Sequence, residues 1–355
     1  MTYKTNALNT FLIIYASLLV LFTLMSLIRS DYWTFRIFDY PRLQKFVLSV
    51  ICLGLIFNLY EHTNAIFWIL SVAVSLNTIY LLCLILPFTL FSKKQVLKVK
   101  NHKPDDSLSL MISNIYQYND NYSGCLREIE KADPDILLLL ETDSKWAKAT
   151  EGLDKDYPNN VKLPLDNTYG MLLFSKLELK DTQVRYLVED DVPSIRAKVV
   201  LKSGQEVVLH CVHPTPPVPN ENIRSTERDK ELLLVADMAK AEELPVIVIG
   251  DLNDVAWSHT TELFLKMSGL LDPRRGRGFY NTFSARNPFM RFPLDHAFIS
   301  PDFKLDNMKR LNNFGSDHFP IFLSIQYEPQ ADRQQGPLHA DSADVKEAQE
   351  KKAKV

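Results

Sequence analysis

The stretch Val246-Ile-Val-Ile-Gly-Asp-Leu-Asn253 delivers a carboxylate and a carboxamide, two residues apart, to the carboxyl end of a buried strand. Four consecutive β-branched apolar residues read as a strand covered on both faces, and Gly250 ends it. Strand side chains alternate, so Asp251 and Asn253 are expected on the same side of the strand end, where α/β sheets gather ligands. A Gly-Asp turn after a strand is common, and this run alone does not define a chemistry.

The same arrangement recurs along the chain. Asn114 follows Leu108-Ser-Leu-Met-Ile-Ser113, Glu141 follows Ile136-Leu-Leu-Leu-Leu140, and His213 follows Val207-Val-Leu-His-Cys-Val212. Leu294-Asp-His-Ala-Phe-Ile-Ser300 and Ser316-Asp-His-Phe-Pro320 add two carboxylate–histidine pairs beside apolar runs. In this ordered set, from about Leu108 to Gln326, the sequence resembles the endonuclease/exonuclease/phosphatase superfamily. That superfamily includes pancreatic-type deoxyribonuclease, apurinic/apyrimidinic endonucleases, neutral sphingomyelinases and inositol polyphosphate 5-phosphatases. The resemblance implies a four-layer α/β sandwich, two mixed sheets face to face with helices outside. Helix-separated strands point the same way. Helices are expected over about Ser123 to Ala132 and Glu221 to Glu243.

Hydrolysis of an anionic phosphate ester wants a divalent cation on the phosphoryl oxygens and a base beside the attacking water. Carboxylate oxygens suit a hard ion, so Mg²⁺, or Mn²⁺ in its place, is the expected cofactor. Glu141 is the principal candidate ligand, with Asn114 and Asp317 close to the ion. Asp251 would orient or deprotonate the water, and Asn253 would hold developing charge through its amide. Asp295 would orient His318 and raise its basicity. In family terms, Asp295 and His318 match the paired acid and histidine near the scissile phosphate, Asp317 the adjacent metal-binding acid, and His213 the histidine at the end of a central strand. His210 points to the opposite face and reads as structural; His296 reads as a packing residue. One departure concerns His213. Secreted deoxyribonucleases of the family pair that histidine with a glutamate just ahead of the strand corresponding to Gly170-Met-Leu-Leu-Phe-Ser-Lys176. Here the approach reads Asp166-Asn-Thr-Tyr-Gly170, with only Asp166 near, which puts a general-acid role for His213 in doubt.

The amino-terminal region has a different composition. Asn9 to Ile28 is an almost uninterrupted uncharged apolar stretch, Phe46 to Tyr60 is shorter, and Ala65 to Phe91 is ample. Three spanning helices are expected, with two spans and one buried or interfacial segment as the alternative. Arg29, Arg36, Arg42 and Lys45 mark the first connection, and Lys93, Lys94, Lys98, Lys100 and Lys103 the exit from the third span. The Glu61 to Asn64 turn has no Lys or Arg. The positive-inside rule then predicts a multi-pass cell-membrane protein with a cytoplasmic hydrolase region. The expected divisions are a membrane domain over 1–103, a hydrolase domain over 104–327 and a disordered polar tail over 328–355. Cysteine spacing gives neither a disulfide framework nor a zinc signature.

Substrate class is read from charge. Residues 104–327 hold 25 Lys and Arg against 34 Asp and Glu, a net charge of −9. Such a domain lacks the broad basic footprint of sequence-independent nucleic-acid binding. Arg274, Arg275, Arg277, Arg286 and Arg291 nevertheless fall in one segment before Asp295 and are candidates to receive phosphates, or else form a solvated loop. Phe279, Tyr280, Phe283, Phe289, Met290 and Phe292 interleave with them, as a lid that stacks on bases or one that dips into lipid headgroups. The expected function is a membrane-anchored phosphoesterase whose substrate is a phospholipid headgroup or a nucleic acid. The alternative is a non-catalytic membrane receptor or scaffold on the same fold. No protein partner follows from the sequence.

Overall fold

The structure, a computed structural model, describes residues 2–60 and 65–354. Three of its helices, α1 (Thr2–Leu27), α3 (Arg42–Leu59) and α4 (Ala65–Ile85), are long and apolar enough to cross a membrane. They pack through Leu12, Ala16, Cys52, Ile56, Phe67 and Val74. Between α3 and α4 the Asn77 amide donates to Ser49 Oγ at 3.0 Å. Phe11, Ile69 and Leu76 project outward, so these helices are apolar all round, as a helix in lipid must be. The turn expected between the second and third spans, Glu61 to Asn64, lies outside the described residues.

Short helix α2 (Trp33–Arg36) and a 3-10 turn over Ile37–Asp39 fill the first connection. Instead of lying free, this connection docks on the hydrolase region. The Trp33 amide donates to Ile223 O at 2.9 Å, the Ser225 amide to Asp31 O at 2.7 Å, and the Trp257 indole to Asp39 O at 2.9 Å. The first connection and the region beyond residue 103 therefore share one end of the helix bundle.

Beyond residue 103 two mixed sheets stack face to face. The first contains β1 (Ser107–Asn114), β2 (Ile136–Leu140), β3 (Asn159–Leu163), β4 (Met171–Ser175), β10 (Phe303–Arg310) and β11 (Ile321–Tyr327), ordered β10-β11-β1-β2-β4-β3. The second is β5-β6-β7-β8-β9, with β5 over Glu178–Arg185, β6 over Ser194–Val200, β7 over Glu206–Val212, β8 over Val246–Asp251 and β9 over Asp295–Ile299. Alternation along each strand sends Leu110, Ile112, Leu138 and Leu140 of one sheet against Leu209, Cys211, Ile247 and Ile249 of the other. The outer faces are covered by helices. Helices α7 (Thr226–Ala241) and α8 (His259–Ser268) pack on Val208, Val212, Val248 and Phe298, while α5 (Tyr122–Ala132) and Trp146 of α6 (Ser144–Ala149) cover Met111, Leu137 and Leu139. Four layers result. Among the described strands only β1–β2 and β7–β8 pair in parallel, so two buried strands in each sheet end side by side at one edge of the sandwich.

Helix α7 begins at Thr226, later than the sequence suggests, because Ile223 to Ser225 is taken up in contacts with the first connection. The tail, expected to be disordered, instead forms α9 (Ser342–Ala353) against α7 and α8. Its polar composition conceals a docking face. Asp344, Ala348 and Lys351 recur at helical spacing, Lys351 pairs with Asp229 at 2.6 Å, Ala348 packs on Leu233 and Leu263, and Asp341 caps the first turn.

His210 lies on the helix-facing side of β7, and burial, reinforced by Arg196, pulls its imidazole down to about 4. An unfolded chain has an ordinary histidine near 6.5, so between these values it binds more protons and folding stability rises with pH. The melting temperature of the detergent-solubilised protein should fall as pH drops from about 6.5 to about 4. His210→Leu should flatten that fall; an undiminished slope in the variant would assign it to other groups.

Candidate active site

The site is built from strand ends. β8 pairs antiparallel with β9, which sets Asp251 opposite Asp295, and β1 runs parallel to β2, which brings Asn114 level with Leu140 and next to Glu141. Gly250 permits this convergence. At φ +151° it passes so close to β7 that a Cβ would lie 1.8 Å from Val212 O. Tyr116, Glu141 and Asn253 all adopt positive φ just after their strands, a backbone region that non-glycine residues seldom occupy and that concentrates at functional sites.

One amide joins the two sheets. Asn114 Nδ2 donates to Glu141 Oε1 at 2.7 Å and to Asp251 Oδ2 at 3.0 Å. Asp251 Oδ1 accepts from the Asn253 backbone at 2.9 Å, and the Asn253 carboxamide donates to Pro214 O at 3.0 Å. His318 Nδ1 and Asp295 Oδ2 are 2.8 Å apart, and His318 Nε2 faces Asp251 Oδ2 at 3.6 Å. Ser316 Oγ donates to Asn114 O at 2.8 Å and accepts from the His318 amide at 3.0 Å, which ties the histidine loop to β1.

The electrostatics follow from burial. Burial alone would lower His318, but the carboxylates of Asp295 and Asp251 outweigh it and push the imidazolium up to about 10. Asp251 is raised by burial, with His318 opposing. Burial also lifts Glu141, to about 7, against the Asn114 hydrogen bond and with help from Asp317 and Asp251. Ligand atoms of Asp251, Asp295 and His318 lie within 4.8 Å of one another. That trio is already compensated, since a protonated imidazole sits between two carboxylates. Outside that trio, Glu141 and Asp317 interact electrostatically and offer hard oxygen donors of the kind that suit a divalent ion. Asn114 turns its nitrogen to Glu141 and its oxygen to the Tyr116 amide, so it positions Glu141 instead of offering it a further oxygen.

His213 is buried, and burial pulls it down to about 4, so it is neutral. In place of a glutamate partner, the Tyr169 ring packs 5.4 Å from the imidazole, and the Tyr169 hydroxyl donates to Glu221. The charged donor of the site is thus His318, not His213.

The five arginines separate. Arg274 is 1% exposed, bonded to Asp272 and His296, and cannot reach a substrate. Arg275 lies over the Phe88 ring and Arg277 donates to Pro273 O and Val96 O, both away from the strand ends. Arg286, over Tyr116, and Arg291, over Phe319, do stand at the rim. His296, between Arg274 and Asp254 O, is a packing residue.

Two contributors carry no signal in the sequence. The Tyr40 hydroxyl, from the first connection, donates to Asn253 O at 2.8 Å, and buried Arg228 donates to the same oxygen at 2.7 Å. The segment between the first two long apolar helices thereby holds the loop that carries Asn253.

Paired carboxylates, a carboxylate-backed imidazolium and an amide-bridged acid at the edge of a four-layer sandwich define a phosphoesterase class of fold and site. A sequence profile of the Endonuclease/Exonuclease/phosphatase family matches residues 111–318, and the chain belongs to that family. Similar folds include TDP2 of D. rerio complexed with single strand DNA product, 19% identical, with a TM-score of 0.53 over 62% of this chain and 100% of that one. An endonuclease/exonuclease/phosphatase from Beutenbergia cavernae DSM 12333 is 18% identical, TM-score 0.51, over 63% and 72% of the two chains. The human nocturnin catalytic domain with bound sulfate anion is 18% identical, TM-score 0.50, over 62% and 94%. Among curated proteins no sequence matches.

Proposed function

We propose that this protein is a membrane-anchored, divalent-metal-dependent phosphoesterase that cleaves phosphate esters presented at the bilayer surface by direct attack of water. Mg²⁺ held by Glu141 and Asp317, with Asn114 positioning Glu141, would neutralise the phosphoryl oxygens. Asp251 takes the proton of the attacking water, the Asn253 amide faces developing charge, and His318, kept protonated by Asp295, donates to a phosphoryl oxygen. The interlocked carboxylate, amide and imidazole groups argue against a non-catalytic scaffold, which would have no use for so costly a burial of charge.

The observation that carries the membrane-substrate reading is the course of the segment from Phe283 to Phe292. Phe283 packs 5.0 Å from the His318 ring, while Phe289 O accepts from the Gln44 side chain at 2.9 Å, in the first turn of the second span. Between them Phe289 is 83% exposed and Met290 42% exposed. The two ends of the segment pair with each other beside His318 and wall the active site, while its tip sits at the membrane helices. Nucleic acid is the second reading, supported by the Arg286–Tyr116 and Arg291–Phe319 stacks at the rim and opposed by the acidic domain.

Phe289→Ser with Met290→Ser should cut turnover of Mg²⁺-supplemented phospholipid vesicles by roughly ten-fold or more, the loss expected for removing interfacial burial of one large side chain. Turnover of a soluble aryl phosphodiester should be largely unaffected. Equal loss on both substrates, or efficient cleavage of single-stranded oligonucleotides with none of vesicles, would defeat the lipid reading.

A further inference from the structure

Away from the strand ends, where the chain leaves the third span, a cavity of about 610 Å³ opens between Lys93, Lys94, Arg275 and Arg333, with Asp332 as the opposing charge. We propose that it binds the phosphate-bearing headgroup of an anionic phospholipid. This rests on the membrane-anchored reading above, but concerns a site separate from the catalytic one.

The cavity is constructed rather than incidental. Gly276, at φ +79°, lets the arginine turn lie directly on the Lys93–Lys94 backbone; a Cβ there would fall 2.7 Å from Lys94 Cα. The Gly276 amide donates to Pro87 O at 2.8 Å, so the turn is fastened to the end of the third membrane helix. On the other wall, Gln335 accepts from the Leu97 amide at 2.7 Å and donates to Pro301 O at 2.8 Å, which fixes the start of the tail. Rigid backbone on both sides thus presents side chains that have no partner of their own. Among the described residues, no carboxylate pairs with Lys93, Lys94, Arg275 or Arg333. The Arg275 guanidinium is held 5.4 Å from the Phe88 ring centroid, and its buried Nε has no hydrogen-bond partner. A stacked guanidinium without a carboxylate partner, in a cavity also lined by two lysines, is suited to a phosphate.

The neighbouring apolar residues select the source of that phosphate. Leu90 and Phe91, three and two residues before Lys93, are 77% and 94% exposed. In water such exposure is unfavourable, whereas at the end of a spanning helix these side chains lie among acyl chains while the cations beside them stay at headgroup level. A free phosphate makes no use of Leu90 or Phe91, and a lipid uses both.

The test is native mass spectrometry of the full chain in detergent, titrated with phosphatidylglycerol or phosphatidylcholine of the same acyl chains. The wild type should retain phosphatidylglycerol in preference by on the order of 10-fold or more, given the usual gain per cation at an anionic surface. Lys93→Gln/Lys94→Gln/Arg275→Gln should lose the preference, whereas Lys93→Arg/Lys94→Arg should keep it, with melting in lipid-free detergent confirming that both are folded. Leu90→Ser/Phe91→Ser should also weaken retention. Equal retention of the two lipids by the wild type, or undiminished preference in the triple variant, overturns the proposal. Displacement of the lipid by millimolar glycerol phosphate, with the Ser variant unaffected, also overturns it and indicates a soluble-anion site. Carbonate extraction of membranes separates the two readings: an integral protein without lipid preference loses only this site, and a protein released by carbonate loses both.

Discussion

Asp251→Asn should lower turnover by roughly 10³-fold, the middle of the range for removing a positioned general base. The substitution keeps the side chain's shape and leaves Oδ1 able to accept from the Asn253 amide, as it does at 2.9 Å. It removes the only charge that faces both the Asn114 amide and His318 Nε2. Glu141, the other carboxylate on the Asn114 amide, already accepts from that amide and from the Gln117 amide. Asp295 is committed to His318 Nδ1, and His213 is neutral but screened by Tyr169 and the buried end of β7. The loss should therefore appear in the single-turnover rate and not in KM, because the phosphate contacts assigned to His318 remain. A variant that hydrolyses the best substrate at a near-wild-type rate would mean that water is activated elsewhere.

Much of this site is legible in the sequence, for a geometric reason. A buried strand has a run of branched apolar residues that is easy to see, and its first polar residue must emerge at an end. Glu141 and Asp251 are such residues, and Asn114 and His213 close runs interrupted by Ser109, Ser113 and His210. Pairing Asp295 with His318 required the family resemblance, since twenty-three positions separate them; in the structure their atoms lie 2.8 Å apart. What sequence pattern cannot reveal is partnership at long range. Arg274 resembled its arginine neighbours, yet Asp272 and His296 enclose it. Tyr40 reaches Asn253 across more than two hundred residues, from a connection whose only visible feature was its positive charge. The tail failed differently. Its average polarity pointed to disorder, but order there depends on Ala348 and on ion pairs to α7 and α8, which an average conceals.

The same contrast between average and position governs Glu141. Glu141→Gln should lower turnover at a fixed Mg²⁺ concentration by roughly 10²-fold, as expected where an ion contributes several kcal/mol to the reaction. The loss should be partly recovered at higher Mg²⁺ or with Mn²⁺. The carboxylate is buried and accepts from the Asn114 amide at 2.7 Å and the Gln117 amide at 3.3 Å. Burial and the carboxylates of Asp317 and Asp251 already oppose its ionisation, so without an ion the charge is a liability to the fold. A neutral glutamine should leave the ion-free melting temperature unchanged or raise it, at the cost of one donor facing Asn114 Nδ2 or the Gln117 amide. The gain in melting temperature on adding Mg²⁺ reports binding to the folded state alone, and that gain should shrink or vanish in the variant. These opposite movements distinguish a lost ligand from a damaged fold, in which both temperatures would drop. Full wild-type turnover in excess chelator, or an Mg²⁺-dependent stabilisation that survives Glu141→Gln intact, would remove the ion from this position.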